Sequence, residues 1–420
     1  MTRPMLHIDS DYFLTAFREL AAIGRDPSGR GYQRLAWSPA EREAHRWFRE
    51  RAQQLGLIVS TDEAGNSFAD FIPPHVKDRP ALAFGSHLDS VPYGGTYDGG
   101  YGVVAALSAA KTLMDSGLPF ARPFRVMAFT DEEGPRFGTG LLGSKAVTGA
   151  LDMEHVRSAH DQAGTTLREA MANFGCDLEK LPNAAQHLSR YFGYVELHIE
   201  QGPRLERLGI PIATVTAITG IRQVSLHFEG QANHAGTTPK PERQNALRSA
   251  AETIMQFSAY VDGTDNLVTN PGRITAHPNA TNVVPGSVRL DWDIRSPEPE
   301  LLEQATAALV SMAERAGASF GVTLTTDIFH DVPPCPLHEP WMEAIEGAAS
   351  HLGLTSTRLV SWAGHDAGVM GMVMPAAMIF IPSRKGVSHA PEEYSSDDAM
   401  LDGVRVLAET AADLLTRVES

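Results

Sequence analysis

The chain has 420 residues, a formal net charge of −16, and hydrophobic and charged fractions of 43% and 20%. This length predicts more than one domain, since single hydrophobic cores stop growing well before it, and the composition is that of a folded protein. The negative charge argues against nucleic acid or an anionic membrane as a partner, because both require a basic surface.

The number of cysteines limits the kind of metal site, and the apolar runs indicate where in the cell the protein is found. The two cysteines, Cys176 and Cys335, are too few for a disulfide framework or a thiolate metal cage, so any metal site must use histidine and carboxylate. The start of the chain lacks the apolar stretch of a signal peptide, and no apolar run reaches the roughly 18 residues of a membrane span. We therefore expect a cytoplasmic protein with no membrane partner.

Predicted helices and strands alternate through the first half of the chain. Residues 38–41, Ser-Pro-Ala-Glu, have the pattern of a capping box at the start of a helix. Short apolar runs that end in polar residues follow at 81–87, 123–133 and 194–202. This alternation predicts an α/β fold with a mostly parallel central sheet. Functional groups in such sheets collect at the carboxyl ends of the strands.

The pattern changes after residue 211. The strands and helices that follow have the order β-α-β-β-α-β, with helices near 242–259 and 299–316, which is typical of a compact split unit. Strand–helix alternation then resumes to the end of the chain. We predict an inserted α+β domain at 212–331 within a catalytic domain formed by 1–211 and 332–420.

Potential metal ligands occur where the predicted strands end. His87 ends one strand, and Asp89, two residues later, can hold its second ring nitrogen, as carboxylates do for metal-bound histidines. Asp98 follows in a glycine-rich loop that can fold tightly over the sheet edge. Each residue alone has an ordinary structural interpretation, and the combination is what suggests a site.

Three consecutive acids, 131–133, end another predicted strand. Their mutual repulsion would be relieved by a cation, and in a two-metal site one carboxylate can bind metal while its neighbour acts as general base. A solvated turn is the alternative. The segments HIEQG (198–202) and GVSHAPEE (386–393) each add a histidine near a strand end. Histidines and carboxylates without thiolate suit zinc, manganese, cobalt or nickel.

Seven ordered motifs between about residues 85 and 393 carry a family resemblance. They are GSHLDSVPYGGTYDGGYGV, DEEGPRFG, HIEQGP, GQANHAGTTP, NVVPGSV followed by DIRSP, AGHDA and GVSHAPEE. The chain resembles the hydantoinase/carbamoylase amidases of the M20 metallopeptidase superfamily, which include N-carbamoyl-L-amino acid hydrolases, allantoate amidohydrolases and β-ureidopropionases. The resemblance implies a dinuclear-metal, peptidase-like catalytic domain and an inserted domain for dimerisation or lid movement.

The resemblance also implies a cofactor of two divalent metal ions per subunit, zinc or else manganese, cobalt or nickel. Asp98 would bridge the two ions. His87 and His198 would complete the protein ligands of one ion, and Glu133 and His389 those of the other. Glu132, which lies between Asp131 and Glu133, would bind neither ion.

The other roles implied by the resemblance concern the reaction itself. Glu132 would be the general base, and His234 would reach a neighbouring subunit's site to stabilise the oxyanion and hold substrate. Further substrate-binding residues would be Gln201, Asn282, Arg295 and a backbone group of Gly364. Arg295 suits a bidentate hold on a carboxylate. The expected assembly is a homodimer that acts on a small ureido acid.

The implied activity is hydrolysis of the carbamoyl group of N-carbamoyl-L-amino acids to amino acid, CO2 and ammonia. Allantoate and β-ureidopropionate are alternative substrates, peptides or acyl-amino acids are weaker ones, and a catalytically inactive, metal-stabilised binding protein is the non-enzymatic alternative. A nucleotide-binding interpretation of GTGLLG (138–143) is set aside, because the segment follows its strand too late.

Three residues depart from the family pattern, and the role of a fourth stays open. Lys240 replaces the usual methionine, and Gln244-Asn245 stands where Arg-Asp is usual, so subunit contacts or substrate shape could differ near His234. His365 fits either a neighbour of the metal site or plain packing.

Overall fold

The computed structural model describes residues 5–417 and divides into two compact units. The second unit is Ala217–Pro336, and the first comprises the described residues on both sides of it. Residues 1–4, at the start of the segment that lacks a signal-peptide pattern, lie outside the described range. Across residues 5–417, none of the helices has the length and apolar character needed to cross a membrane.

Strands and α-helices occur throughout both units. The strands are β1 Ile58–Thr61, β2 Ser67–Phe71, β3 Ala81–His87, β4 Phe124–Phe129, β5 Tyr191–Ile199, β6 Ile212–Ile218, β7 Gly220–Glu229, β8 Asn233–His234, β9 Val268–His277, β10 Val283–Val284, β11 Ser287–Ser296, β12 Thr323–Val332, β13 Cys335–Pro336, β14 Ser356–Ser361 and β15 Ala376–Ile381. The α-helices are α1 Ser10–Leu20, α2 Pro39–Gln54, α3 Gly100–Asp115, α4 Leu142–Thr148, α5 Met153–Ser158, α6 Leu167–Phe174, α7 Arg204–Leu208, α8 Ala246–Asp262, α9 Pro299–Ser319, α10 Glu339–His351, α11 Asp366–Gly371 and α12 Asp397–Thr416.

The strands of the first unit form one mixed sheet in the order β1-β2-β4-β3-β5-β15-β6, with β14 beside β6. The inner strands β4, β3, β5 and β15 run parallel to one another, while β1, β2 and β6 pair antiparallel with their neighbours. Helices α3 and α12 share one buried core with β3 and β5. The predicted α/β fold with a mostly parallel central sheet is confirmed.

The parallel inner strands bring three of the sequence motifs to one edge of the sheet. Strand β3 ends at His87, which pairs with the last residue of β4, Phe129. The acids 131–133 follow directly, and His198 lies one residue before the end of β5. Parallel strands end at a common edge, so the three motifs meet there.

Helix α2 begins as predicted, but the capping box at its start forms only by half. The Ser38 hydroxyl accepts a hydrogen bond from the Glu41 N–H (3.2 Å). The Glu41 carboxylate does not return a bond to Ser38. It is fully buried and accepts hydrogen bonds from the Trp37 N–H and the Thr130 hydroxyl instead. Glu41 therefore connects α2 to the residue that precedes the acid triplet.

The second unit contains a four-stranded antiparallel sheet in the order β12-β7-β11-β9. Helices α8 and α9 share its core, and the principal elements follow the predicted β-α-β-β-α-β order. Helix α8 begins at Ala246 rather than near 242, because Asn245 caps it by accepting the Arg248 N–H (3.1 Å). The predicted boundaries at 211/212 and 331/332 stay predictions, as does a lid or dimerisation role.

Gly85 allows strand β3, which carries His87, to lie close to strand β4. A methyl group on Gly85 would overlap the backbone of Met127 in β4, so we expect Gly85→Ala to lower the free energy of unfolding by about 1–3 kcal/mol or more. Gly347→Ala is the matched control. It lies on the exposed side of α10 with nothing within 4 Å of an added methyl and should raise stability by up to about 1 kcal/mol. Urea unfolding followed by circular dichroism measures the stability of both variants. A Gly85→Ala protein as stable as wild type would show that the close contact with β4 does not require glycine at this position.

Candidate metal centre

The carboxylate of Asp98 lies among three imidazoles. Its Oδ1 is 3.0 Å from Nε2 of His198 and 3.3 Å from Nε2 of His87. Its Oδ2 is 3.3 Å from Nε2 of His389. The next residue, Gly99, has a positive φ of 61° and lies so close to His87 that a Cβ would overlap the ring. Only glycine allows the loop to bring Asp98 this close to the end of β3.

The acid triplet contributes two further carboxylates to the same edge. Oε2 of Glu133 is 3.3 Å from Nε2 of His389, and Oε2 of Glu132 is 3.9 Å from Nε2 of His87. The Asp89 carboxylate accepts the backbone N–H groups of Glu132 (3.0 Å) and Glu133 (3.1 Å). Asp89 therefore fixes the backbone of both acids.

Two groups of possible metal ligands share Asp98. The side chains of the first group are His87, Asp98 and His198, and those of the second are Asp98, Glu133 and His389. Within each group the candidate ligand atoms lie within 4.8 Å of one another. The structure thus brings together the five residues singled out as ligands, with Glu132 beside them. Their assignment to two ions remains a prediction.

Hydrogen bonds orient two of the imidazoles toward Asp98. Nδ1 of His87 lies 3.2 Å from the backbone oxygen of Asp89 and 3.4 Å from its carboxylate, which is the contact expected from the sequence. Nδ1 of His198 lies 2.9 Å from the carbonyl oxygen of Ile199. These oxygens accept the proton that each ring carries on Nδ1, so Nε2 is the nitrogen that can bind a metal ion once it is deprotonated.

The charges at this edge favour the presence of cations. Burial alone would raise the pKa of Asp98, but the charge of His198 and the hydrogen bonds from His198 and His389 hold it well below its usual range. Hydrogen bonds to Asp98 and Glu133 raise the pKa of His389 to about 11. Buried Nε2 of His87 and Oε1 of Glu133 have no hydrogen-bond partner. Such donors, without thiolate, fit divalent ions of the zinc, manganese, cobalt or nickel type.

Two of the residues expected to bind substrate belong to the first unit. Gln201, with a φ of 57°, donates its side-chain N–H to Oδ2 of Asp98 (2.7 Å), so it lies at the candidate centre. Gly364 precedes the first residues of α11. Its neighbour His365 is buried, with its ring centroid 4.6 Å from that of His198 and Nε2 2.9 Å from the Ser361 hydroxyl. His365 thus packs against a proposed ligand.

The other residues expected to bind substrate lie in the second unit. His234 in β8 pairs with Val283 in β10, next to the exposed Asn282. Nδ1 of His234 accepts the N–H groups of Gly236 and Thr237, both at 3.1 Å. The neutral ring therefore carries its proton on Nε2, which makes that nitrogen a hydrogen-bond donor. Arg295 in β11 donates Nε–H to the carboxylate of Asp293 (2.7 Å).

The departures from the family pattern preserve the loop after His234. Asn245 caps α8, a role that asparagine and aspartate fill about equally well. Gln244 accepts the Gln231 N–H at its backbone oxygen (3.0 Å), and Lys240 is exposed. The guanidinium of Arg243 donates to the backbone oxygens of Ala235 and Thr238. The loop is therefore held mainly through backbone atoms.

Sequence reasoning missed several buried groups behind the centre. Glu196 accepts the Ser86 hydroxyl (2.7 Å) and the Ala367 N–H (2.8 Å), which connects β3, β5 and the start of α11. The sequence did contain a signal for Glu196: it lies two residues before His198 in a strand, so both side chains point to the same face of the sheet. Glu393, the last residue of GVSHAPEE, is the second missed carboxylate and contacts the Asp98 loop.

Comparisons with known proteins agree with this architecture. The model of Peptidase family M20/M25/M40 matches residues 83–413. The chain is 36% identical over 396 residues to N-carbamoyl-L-amino acid amidohydrolase from Geobacillus stearothermophilus, covering 94% of this chain and 96% of that protein. It is 34% identical over 392 residues to allantoate amidohydrolase from Bacillus subtilis (strain 168), covering 93% and 94%.

A solved structure gives the same result. The amidase of the hydantoinase/carbamoylase family from Burkholderia multivorans has a TM-score of 0.88 at 30% identity, covering 99% of this chain and 100% of that one. The chain therefore belongs to the M20/M25/M40 peptidase family. The resemblance to its hydantoinase/carbamoylase amidases, inferred from the motifs, is confirmed.

Chelation tests the metal centre. We expect a chelator to lower the melting temperature of the protein, since a ligand at a hundred times its dissociation constant stabilises the folded state by about 2.7 kcal/mol. Asp98→Ala should abolish the response to chelator, whereas His187→Ala, an exposed histidine outside the cluster, should retain it. Differential scanning calorimetry with and without added zinc is the measurement. A melting temperature indifferent to chelator in the wild type would argue against bound ions and for the non-enzymatic alternative.

Proposed function

We propose that this protein hydrolyses the carbamoyl group of N-carbamoyl-L-amino acids, giving the amino acid, CO2 and ammonia, with two divalent ions as cofactor. The observation that carries the proposal is the position of Asp98, shared by two groups of possible ligands with Glu132 close to one of them. The similarity to an N-carbamoyl-L-amino acid amidohydrolase over 94% of the chain supports the substrate class.

Glu132 is the proposed general base. Bound divalent ions would supply Lewis-acid chemistry, polarising the carbonyl and lowering the pKa of water. Glu132 takes a proton from the water that attacks the carbamoyl carbon and returns it to the departing ammonia. The C–N bond to that ammonia breaks, and the carbamate left on the amino acid loses CO2. Because Asp89 holds the Glu132 backbone, the carboxylate needs no large movement between these two roles.

The other predicted residues have complementary roles in this reaction. Nε2–H of His234, a donor fixed by the two backbone bonds to Nδ1, would stabilise the oxyanion. Arg295 would hold the substrate carboxylate, with Asp293 orienting its guanidinium through Nε and Nη2. Gln201, Asn282 and the backbone of Gly364 would complete the substrate contacts.

A substrate panel tests the proposal against its alternatives. The wild-type protein, loaded separately with zinc, manganese, cobalt or nickel, is assayed for ammonia release from N-carbamoyl-L-amino acids, N-carbamoyl-β-alanine and allantoate. We expect the highest kcat/KM on an N-carbamoyl-L-amino acid. A higher value on allantoate, supported as an alternative by the 34% identical Bacillus subtilis enzyme, would replace the proposed substrate. No turnover on any of them, with metal bound, would overturn the proposal.

Removal of the general base should separate catalysis from metal binding. Glu132→Gln keeps the size of the side chain but cannot accept the proton, so we expect kcat to fall by about 10²–10⁴ with metal content unchanged. Glu154→Gln, an exposed glutamate on α5, is the control and should keep wild-type activity. Steady-state kinetics and elemental analysis give both readouts. Near-normal turnover in Glu132→Gln would refute the assignment.

We also propose that the protein is a homodimer in which His234 serves the partner's site. The outer strands of the second unit, β9 and β12, lie at the edges of their sheet, and edge strands present unpaired backbone groups to another chain. They expose large apolar side chains: Val268, Ile274, Ile328 and Phe329. These features, together with the family resemblance, support a second copy of this chain as the partner.

Mixing two inactive variants tests this arrangement. Glu132→Gln and His234→Ala each inactivate every site of their own homodimers. In a mixed dimer, one site combines an intact Glu132 with an intact His234 from the other chain. Unfolding and refolding an equal mixture should therefore restore about one quarter of wild-type activity, since half the dimers are mixed and half their sites intact. Activity that stays at the level of the separate variants would show that each subunit uses its own His234.

A further inference from the structure

The buried carboxylate of Glu393 connects the loops that carry Asp98 and His389. Glu393 is 5% exposed, and its Oε1 accepts the backbone N–H groups of Tyr97 (2.9 Å) and Asp98 (3.0 Å). Its Oε2 accepts the hydroxyl of Ser388 (2.8 Å), the residue before His389. One side chain therefore joins two loops from opposite ends of the chain.

Ser388 extends this connection to the Asp98 side chain. Its Oγ is 2.8 Å from the Glu393 carboxylate and 3.1 Å from Oδ2 of Asp98. A serine hydroxyl has a single hydrogen, so Glu393 and Asp98 share one donor. Asp98 is thus held at its backbone by Glu393 and at its carboxylate through Ser388. Because Asp98 belongs to both groups of possible ligands, its placement affects both.

The Asp98 loop needs an external support of this kind. It is rich in glycine between residues 94 and 102, and glycine leaves a backbone free to adopt many conformations. Gly95 passes so close to Glu393 that a methyl group on it would overlap the carboxylate. Hydrogen bonds to a charged acceptor are roughly twice as strong as neutral ones, so two successive N–H groups bound to one carboxylate restrain the loop.

We propose that Glu393 is a positioning residue that holds the Asp98 and His389 loops in the register required to bind two cations. It acts through Asp98 and Ser388, since its oxygens are already engaged with the N–H groups and the hydroxyl. The inference rests on the proposed metal centre. It adds a buried carboxylate whose loss should weaken cation binding without removing a ligand.

Cobalt titration of the metal-free protein tests this role. Co²⁺ is added to the wild type and the variants, and binding is followed by ligand-field absorption and calorimetry. Glu393→Ala should bind Co²⁺ about 10–100-fold more weakly, the usual effect of removing a residue that orients a ligand. Its absorption spectrum should change, and its kcat should recover toward wild type at saturating Co²⁺, a recovery not expected from general destabilisation.

Two matched variants sharpen the comparison. Glu393→Gln keeps an oxygen for the two N–H groups and can donate to Ser388, so its affinity should stay within about threefold of wild type. Glu392→Ala changes the adjacent, exposed glutamate and should leave both affinity and spectrum unchanged. Near-wild-type Co²⁺ affinity in Glu393→Gln but not in Glu393→Ala would show that the hydrogen bonds of Glu393 support cation binding.

The outcomes separate this role from the metal centre itself. Wild-type affinity and an unchanged spectrum in Glu393→Ala would overturn the positioning role while leaving the centre intact. If Glu393→Ala does not fold, Ser388→Ala decides, because it removes only the hydroxyl link: weaker Co²⁺ binding supports the role, and unchanged binding overturns it. A wild-type protein that takes up no Co²⁺ would overturn the centre together with the inference.

Discussion

The placement of the Asp98 carboxylate among three imidazoles is the constraint on which the site depends. Removing a carboxylate from water is costly unless charges and hydrogen bonds compensate it. His87 and His198 approach one oxygen of Asp98, and His389 approaches the other. The neighbouring acids Glu132 and Glu133 repel Asp98 unless a cation lies between them. The same excess of negative charge that makes this arrangement costly for the protein alone makes it suitable for divalent cations.

The rest of the first unit supports this arrangement largely through backbone groups. Asp89 accepts the N–H groups of both acids in the triplet, and Glu393 accepts those at the Asp98 loop. Arg34 is fully buried and donates to the backbone oxygen of Leu88, the residue after β3 (3.0 Å). Backbone donors are fixed by the fold, so they restrain the acids more firmly than flexible side chains would.

The sequence predicted the parts of the site that follow from parallel strands. His87, the acid triplet and His198 were found because apolar runs ended at them, and parallel strands end at one edge. Glu41 was predicted only as part of a helix cap and Glu393 was missed, because the sequence does not show that the fold buries both carboxylates. The start of α8 was placed too early because capping by Asn245 overrides the helical pattern before it. Which ligand serves which ion came from the family resemblance, since spacing along the chain does not reveal it.

Catalytic and specificity functions place different demands on the sequence. The donor at Nε2 of His234 is determined by two backbone N–H groups, and the following loop is held through the backbone oxygens that Arg243 contacts. Substitutions such as Lys240 can therefore change the shape and charge around the loop without changing the tautomer of His234. The oxyanion role proposed for His234 is therefore compatible with divergence at these positions.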